Sequence, residues 1–155
     1  MNKENTKETA GELSELLARI TPEELPGFLR EHEAELLSGP RPFAAYMRAK
    51  FKEKGVLQQN VFLAADISEN YGYKLIAEEK HTVSRDTILR LCLAAGFDLG
   101  ETQEALILYG MAPLHGRFPR DAALIAVVQN GLYDLREVNI LLESCGQTPL
   151  VKDYE

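Results

Sequence analysis

Apolar residues recur at three- and four-residue spacings along nearly the whole chain, and nowhere does a period of two persist long enough for a strand. This pattern predicts helices and no sheet. A first helix is expected at 10–20, with Leu13, Leu16, Leu17 and Ile20 on one face. A second is expected from Thr21 to about Leu37, with Thr21 as cap, Pro22 at the first position and Glu24 closing a capping box. The stretch SGPRP at 38–42 breaks it. Seven more helices follow, at 43–54, 58–65, 68–79, 84–95, 98–110, 119–130 and 134–145. Residues 1–9 read as disordered. The predicted fold is all-α, in three segments: an acidic helical pair at 1–40, a helical domain at 41–97 and a helical hairpin extension at 98–155.

An internal repeat organises the second half. DLGETQEALILYGMAPL (98–114) and DLREVNILLESCGQTPL (134–150) align without a gap, with seven identities in 17 positions. The preceding helices also match, Arg85-Asp86 with Arg120-Asp121 and Gly96 with Gly131. Asp98 and Asp134 stand where N-caps belong, and Gly110 and Gly146 where left-handed C-terminal caps belong. The expectation is a two-unit hairpin array, each unit burying its apolar face on its neighbour and both stacking on the helices before them. The run DAALIAVV at 121–128 is apolar all round, so it is expected to be buried on every side. Leu124, Ile125, Val127 and Val128 are then candidates to meet a second copy or a protein partner, with the N-terminal helices as the alternative cover.

Charge changes this picture. The net charge is -7, yet 1–40 carries -5, 41–97 carries +3 and 98–155 carries -5. One basic segment lies between two acidic ones, the distribution that a nucleic-acid interface would need if there is one. No apolar run approaches the ~20 residues of a membrane span, and the polar start MNKENTKETAGE has no signal- or transit-peptide character. A cytoplasmic location is the expectation. Cys92 and Cys145 sit in helical apolar patterns without CxxC spacing and read as reduced core thiols.

Within the basic segment, residues 54–96 read KGVLQQNVFLAADISENYGYKLIAEEKHTVSRDTILRLCLAAG. Gly55-Val56-Leu57-Gln58-Gln59, Val61-Phe62, Asp66-Ile67-Ser68, Lys74-Leu75 and Ser84 to Leu91 stand at the landmarks of one known pattern. On these residues the stretch resembles the phage-repressor-like (XRE-type) helix-turn-helix family, over about residues 43–96. The resemblance implies a lambda-repressor-like helix-turn-helix domain, here extended by the hairpin repeat, and a transcriptional regulator that binds double-stranded DNA. It implies that Gln58 contacts the DNA backbone. Three departures stand out. Asp66 replaces the usual turn glycine, Gly72 replaces an aliphatic residue and hints at a close helix approach, and Glu78 replaces the usual terminal glycine, so the helix is expected to run on to Lys80 or His81.

The residues themselves add roles. Ser68 can cap the second helix of the motif and aim its N–H groups outward. Glu69, Asn70, Tyr73, Lys74 and Ala77 should face out, with Asn70 suited to adenine, Lys74 to guanine or phosphate and Glu69 to cytosine. Lys50, Lys52 and Lys54, with Arg48, form a candidate phosphate-facing flank. No catalytic, metal or cofactor motif stands out: His32, His81 and His115 lack partners at ligand spacing, so the chain is not expected to be an enzyme. The alternative is a helical adaptor that keeps the motif as scaffold and docks a protein through its C-terminal repeats.

Overall fold

The computed structural model describes residues 10–34, 36, 39 and 41–151, so the disorder expected at 1–9 and the helix end expected near 37 lie outside the described residues. The chain divides into two compact units, 1–40 and 41–155. In the first, α1 spans Ala10–Leu17 and α2 spans Leu25–Glu31, joined through a 3-10 turn at Pro22–Glu24. Thr21 makes no capping bond, and the continuous helix expected from it is interrupted. Pro26 explains the interruption: it has no N–H to give to Pro22, so the α-helix restarts at Leu25.

The second unit is built around α6. Its helices are α3 (Pro42–Lys54), α4 (Gln58–Ala65), α5 (Glu69–Ile76), α6 (Arg85–Ala94), α7 (Leu99–Leu108), α8 (Pro119–Gln129) and α9 (Leu135–Ser144), and the described residues contain no strand. Phe43, Met47 and Phe51 of α3, Val61, Phe62 and Ala65 of α4, and Leu75 and Ile76 of α5 are buried. In α6 every residue from Thr87 to Leu93 is buried, because α4, α7 and α9 all pack on it. That packing crosses Phe97, so residues 41–151 form one body with no boundary where the sequence pattern changes.

The repeated sequence makes repeated contacts. Leu106 and Leu142 are both fully buried, and Gly96, Gly110, Gly131 and Gly146 all have left-handed backbones. Gln103 brackets Leu114, donating to its carbonyl at 2.8 Å and accepting from its N–H at 2.7 Å. Asn139, the equivalent residue, brackets Leu150 at 3.5 and 2.8 Å. Between the units the contacts are reciprocal. Arg85 pairs with Asp121, and Arg120 makes two 2.8 Å bonds to Asp86. The His115 N–H reaches Asp121 at 2.9 Å, and the Val151 N–H reaches Asp86 at 3.2 Å. Likewise α7 packs on α8 and α9 on α6. Exchanging the two units maps each of these contacts onto another, as a two-fold axis would. The expected stacked array is therefore corrected to a pseudo-two-fold pair, since translation along an array would make the same patches meet only once.

This arrangement also corrects the expectation for 121–128. Leu124, Val127 and Val128 are 1%, 2% and 5% exposed, covered by α7 and α9 of the same chain, while Ile125 is half-buried, as are Ala122 and Ala123. The three buried side chains offer no surface to a second copy or a partner. Ala126 is exposed, so the helix buried all round is α6 rather than α8. Of the two cysteines expected in the core, Cys92 of α6 is buried, but Cys145 ends α9 as its C-cap and is exposed.

Candidate functional site

The candidate site is the exposed face of α5 and the segments that hold it. Asp66 leaves α4 in the left-handed conformation (φ 54°), which a short polar side chain tolerates, and so turns the chain after one helix. Ile67 is buried and pins the turn, its N–H bonding the Phe62 carbonyl at 3.0 Å. Ser68 then caps α5, its Oγ accepting from the Tyr71 N–H at 3.4 Å. Gly72 lies against the Phe62 ring: a Cβ there would sit 2.5 Å from Phe62 Cδ1. That is the close helix approach which the glycine hinted at.

Along α5 the side chains of Glu69, Asn70 and Tyr73 are exposed, and Lys74 is half-buried. Leu75 and Ile76 face the core, while Tyr71 is only half-buried, with Lys80 over its ring. The Tyr73 ring stands edge-on to Phe62 at 5.0 Å between centroids. Gln58 is the first residue of α4 and is half-buried. The helix stops at Ile76, short of the expected Lys80 or His81, because Glu78 takes a left-handed backbone (φ 58°). For a non-glycine residue this costs about 1–2 kcal/mol. Two contacts offset it: Glu78 Oε2 accepts from the Ala44 N–H at 3.2 Å in the first turn of α3, and Arg41 donates to the Ala77 carbonyl at 3.1 Å. Glu78 is thus turned toward α3 instead of the exposed face.

The lysines of α3 divide. Lys52 and Arg48 are exposed, but Lys50 and Lys54 both reach Glu101 of α7, at 3.3 and 2.7 Å. Glu101 also closes a capping box with Asp98. Burial tends to raise the Glu101 carboxyl, but the bonds from Lys54, the Asp98 N–H and Lys50 outweigh it and hold the group below its usual 4.5. Burial tends to lower Lys50, yet its bonds to Glu53 and Glu101 hold it above 10.5. Glu101→Gln keeps a capping side chain and removes the charge. It should cost about 1–2 kcal/mol at neutral pH, in proportion to two partly screened pairs. A depressed carboxylate stabilises the fold above its unfolded value, and the effect is lost as pH falls through the folded one. The difference between the two proteins should therefore close below pH 4.5, as urea unfolding across that range would show. The Lys50 contribution has the opposite sign: it is present below 10.5 and lost as pH rises through the raised value.

Arg90, which sequence reasoning did not single out, is 6% exposed. Its Nε donates to the Ala65 carbonyl at 2.9 Å, its Nη1 to the Leu150 carbonyl at 2.8 Å, and its Nη2 lies 3.8 Å from Asp66. Burial lowers its pKa, with Asp66 and Asp86 acting against the shift. Glu101 carried a visible signal, the Asp98-x-x-Glu101 spacing of a capping box; Arg90 carried only a charge inside the apolar pattern of α6, which names no partner. The histidine rings pack on aromatic neighbours, His32 on Phe28, His81 on Tyr109 and His115 beside Phe118. Among the described residues no three His, Cys, Asp or Glu side chains are grouped as for a metal, and no helix is long and apolar enough to cross a membrane. No family model, curated protein or solved structure matches the chain.

Proposed function

We propose that the chain is a regulator that binds double-stranded DNA, with α4 and α5 as an XRE-type helix-turn-helix and α5 as the reading helix. The observation that carries this reading is the polar exposed face of α5, where Glu69, Asn70 and Tyr73 follow a serine-capped helix start. Asn70 can bond both adenine N6 and N7, Lys74 can take guanine or a phosphate, and Glu69 can accept from cytosine N4 while repelling phosphate. Ser68 and Gln58 would sit at the backbone, with Lys52 and Arg48 as the exposed cations of the flank. Lys50 and Lys54 contribute less, since Glu101 and, at Lys50, Glu53 already pair with them.

Few phosphates would then be neutralised, and log K against log salt should have a slope of only about -2. Selection from a random DNA library at about 100 mM salt, a range where unspecific binding is weak, should enrich one motif. Asn70→Ala or Lys74→Ala should cost ~1–3 kcal/mol at that motif and little on random DNA. Glu69→Gln should raise affinity for random DNA more than for the motif. If no motif is enriched, the regulator reading fails. The adaptor reading would then take its place, favoured by the exposed apolar side chains of Ile140 and Leu141 on α9 and Ile107 on α7.

A further inference from the structure

Arg90 is where the repeat departs from its own symmetry. Arg85, Asp86 and Gly96 all have counterparts 35 residues on, but the counterpart of Arg90 is Ile125. A cation in the most buried helix therefore ties the repeat to something outside it. Its contacts show what: the Ala65 carbonyl at the end of α4, the Asp66 carboxylate in the turn that aims α5, and the Leu150 carbonyl.

Leu150 belongs to a segment held at each of its residues. The Thr148 and Pro149 carbonyls accept from Arg120, both at 3.0 Å, and the Leu150 and Val151 N–H groups donate to Asn139 and Asp86. We infer that residues 148–151 form a strap that sets the pose of the α4–α5 turn through Arg90. Arg90 is then a positioning residue for α5, and the C-terminal hairpin a point from which α5 is controlled. A guanidinium suits this task because its rigid planar fork presents donors from separate nitrogens in fixed directions, whereas an ammonium offers all its donors from one rotating nitrogen. Were the strap drawn away, a buried donor would lose its acceptor, at a cost that turns the side chain toward water and releases Ala65. The coupling stands on these contacts alone; only its consequence for DNA rests on the regulator reading.

Hydrogen exchange on the full chain tests it. Asn139→Ala removes the anchor of Leu150 without touching α4, α5 or Arg90. It should speed exchange of the hydrogen-bonded amides of Asp66, Ile67, Tyr71 and Gly72 about tenfold, the signature of a local opening, while Val56 at the end of α3 keeps its protection. Arg90→Lys should do the same, and the double variant should add little beyond either one. Equal acceleration at Val56 would mean a general loss of stability and would overturn the inference. So would free exchange of Leu150 and Val151 with Asp66, Ile67, Tyr71 and Gly72 still protected. With a selected DNA motif, Asn139→Ala should also weaken binding several-fold; a protein that binds no DNA fails the regulator reading but leaves the exchange result to decide the coupling.

Discussion

Gly72→Ala should destabilise the protein by about 1–3 kcal/mol, the usual range for an extra carbon forced into a packed site. Helix propensity alone predicts the reverse, since alanine is better than glycine by about 1 kcal/mol inside a helix. The contact decides which effect wins. The new Cβ would fall 2.5–2.7 Å from three atoms of the Phe62 ring, and that ring is 1% exposed and wedged against Tyr73. It has no free end to swing aside. Phe62→Leu should remove part of the clash, so the two changes together should cost less than the sum of their separate effects. Urea unfolding with an unchanged slope would measure this. A Gly72→Ala protein more stable than the wild type would show that α4 and α5 can separate at no cost.

Asp121→Ala should cost about 3 kcal/mol, the lower end of what breaking a buried ion pair costs. The Asp121 side chain is 4% exposed, and it accepts from both outer nitrogens of Arg85 as well as the His115 N–H. Removing it leaves a guanidinium whose other acceptor, the Ala112 carbonyl, is 3.4 Å away. Asp86→Ala is the symmetric experiment. Asp86 is 14% exposed and its partner Arg120 keeps two carbonyl acceptors, so about 2 kcal/mol is expected, between an exposed and a fully buried pair. Equilibrium unfolding of the two single variants would check both values. A loss for Asp121→Ala no larger than that of a surface pair would contradict the pseudo-two-fold interface as a source of stability.

These residues also show what could be read in advance. The helices were legible because periodicity and caps are local: Ser68, Ser84, Asp98 and Asp134 each cap the helix that follows. The repeat was legible in its glycines and Pro-Leu ends. Its symmetry was not, because a sequence alignment reads the same for a translation and for a rotation. The charged side chains were hardest. Lys50 and Lys54 looked like a free basic face, but their partner Glu101 is about 50 residues away in the chain, and nothing local marks the pairing. Arg90 and Thr87 break the apolar pattern of α6, so the unbroken run of α8 reads as the buried helix. Of the candidate site, the exposed face of α5 followed from helical spacing; the Arg90 and Glu101 contacts that hold its surroundings needed the tertiary structure.

The reciprocal contact between the two hairpins limits how this architecture can change. Repeats that meet head to tail leave an unsatisfied face at each end, and a further copy can always be added there. A face-to-face pair leaves no such end. Arg85, Asp86, Arg120 and Asp121 are all committed to each other, so a duplicated third hairpin would find no free partner for its own Arg-Asp pair. Such a chain could lengthen only by exchanging hairpins with another molecule, so growth by duplication, open to helical arrays, is closed to this one.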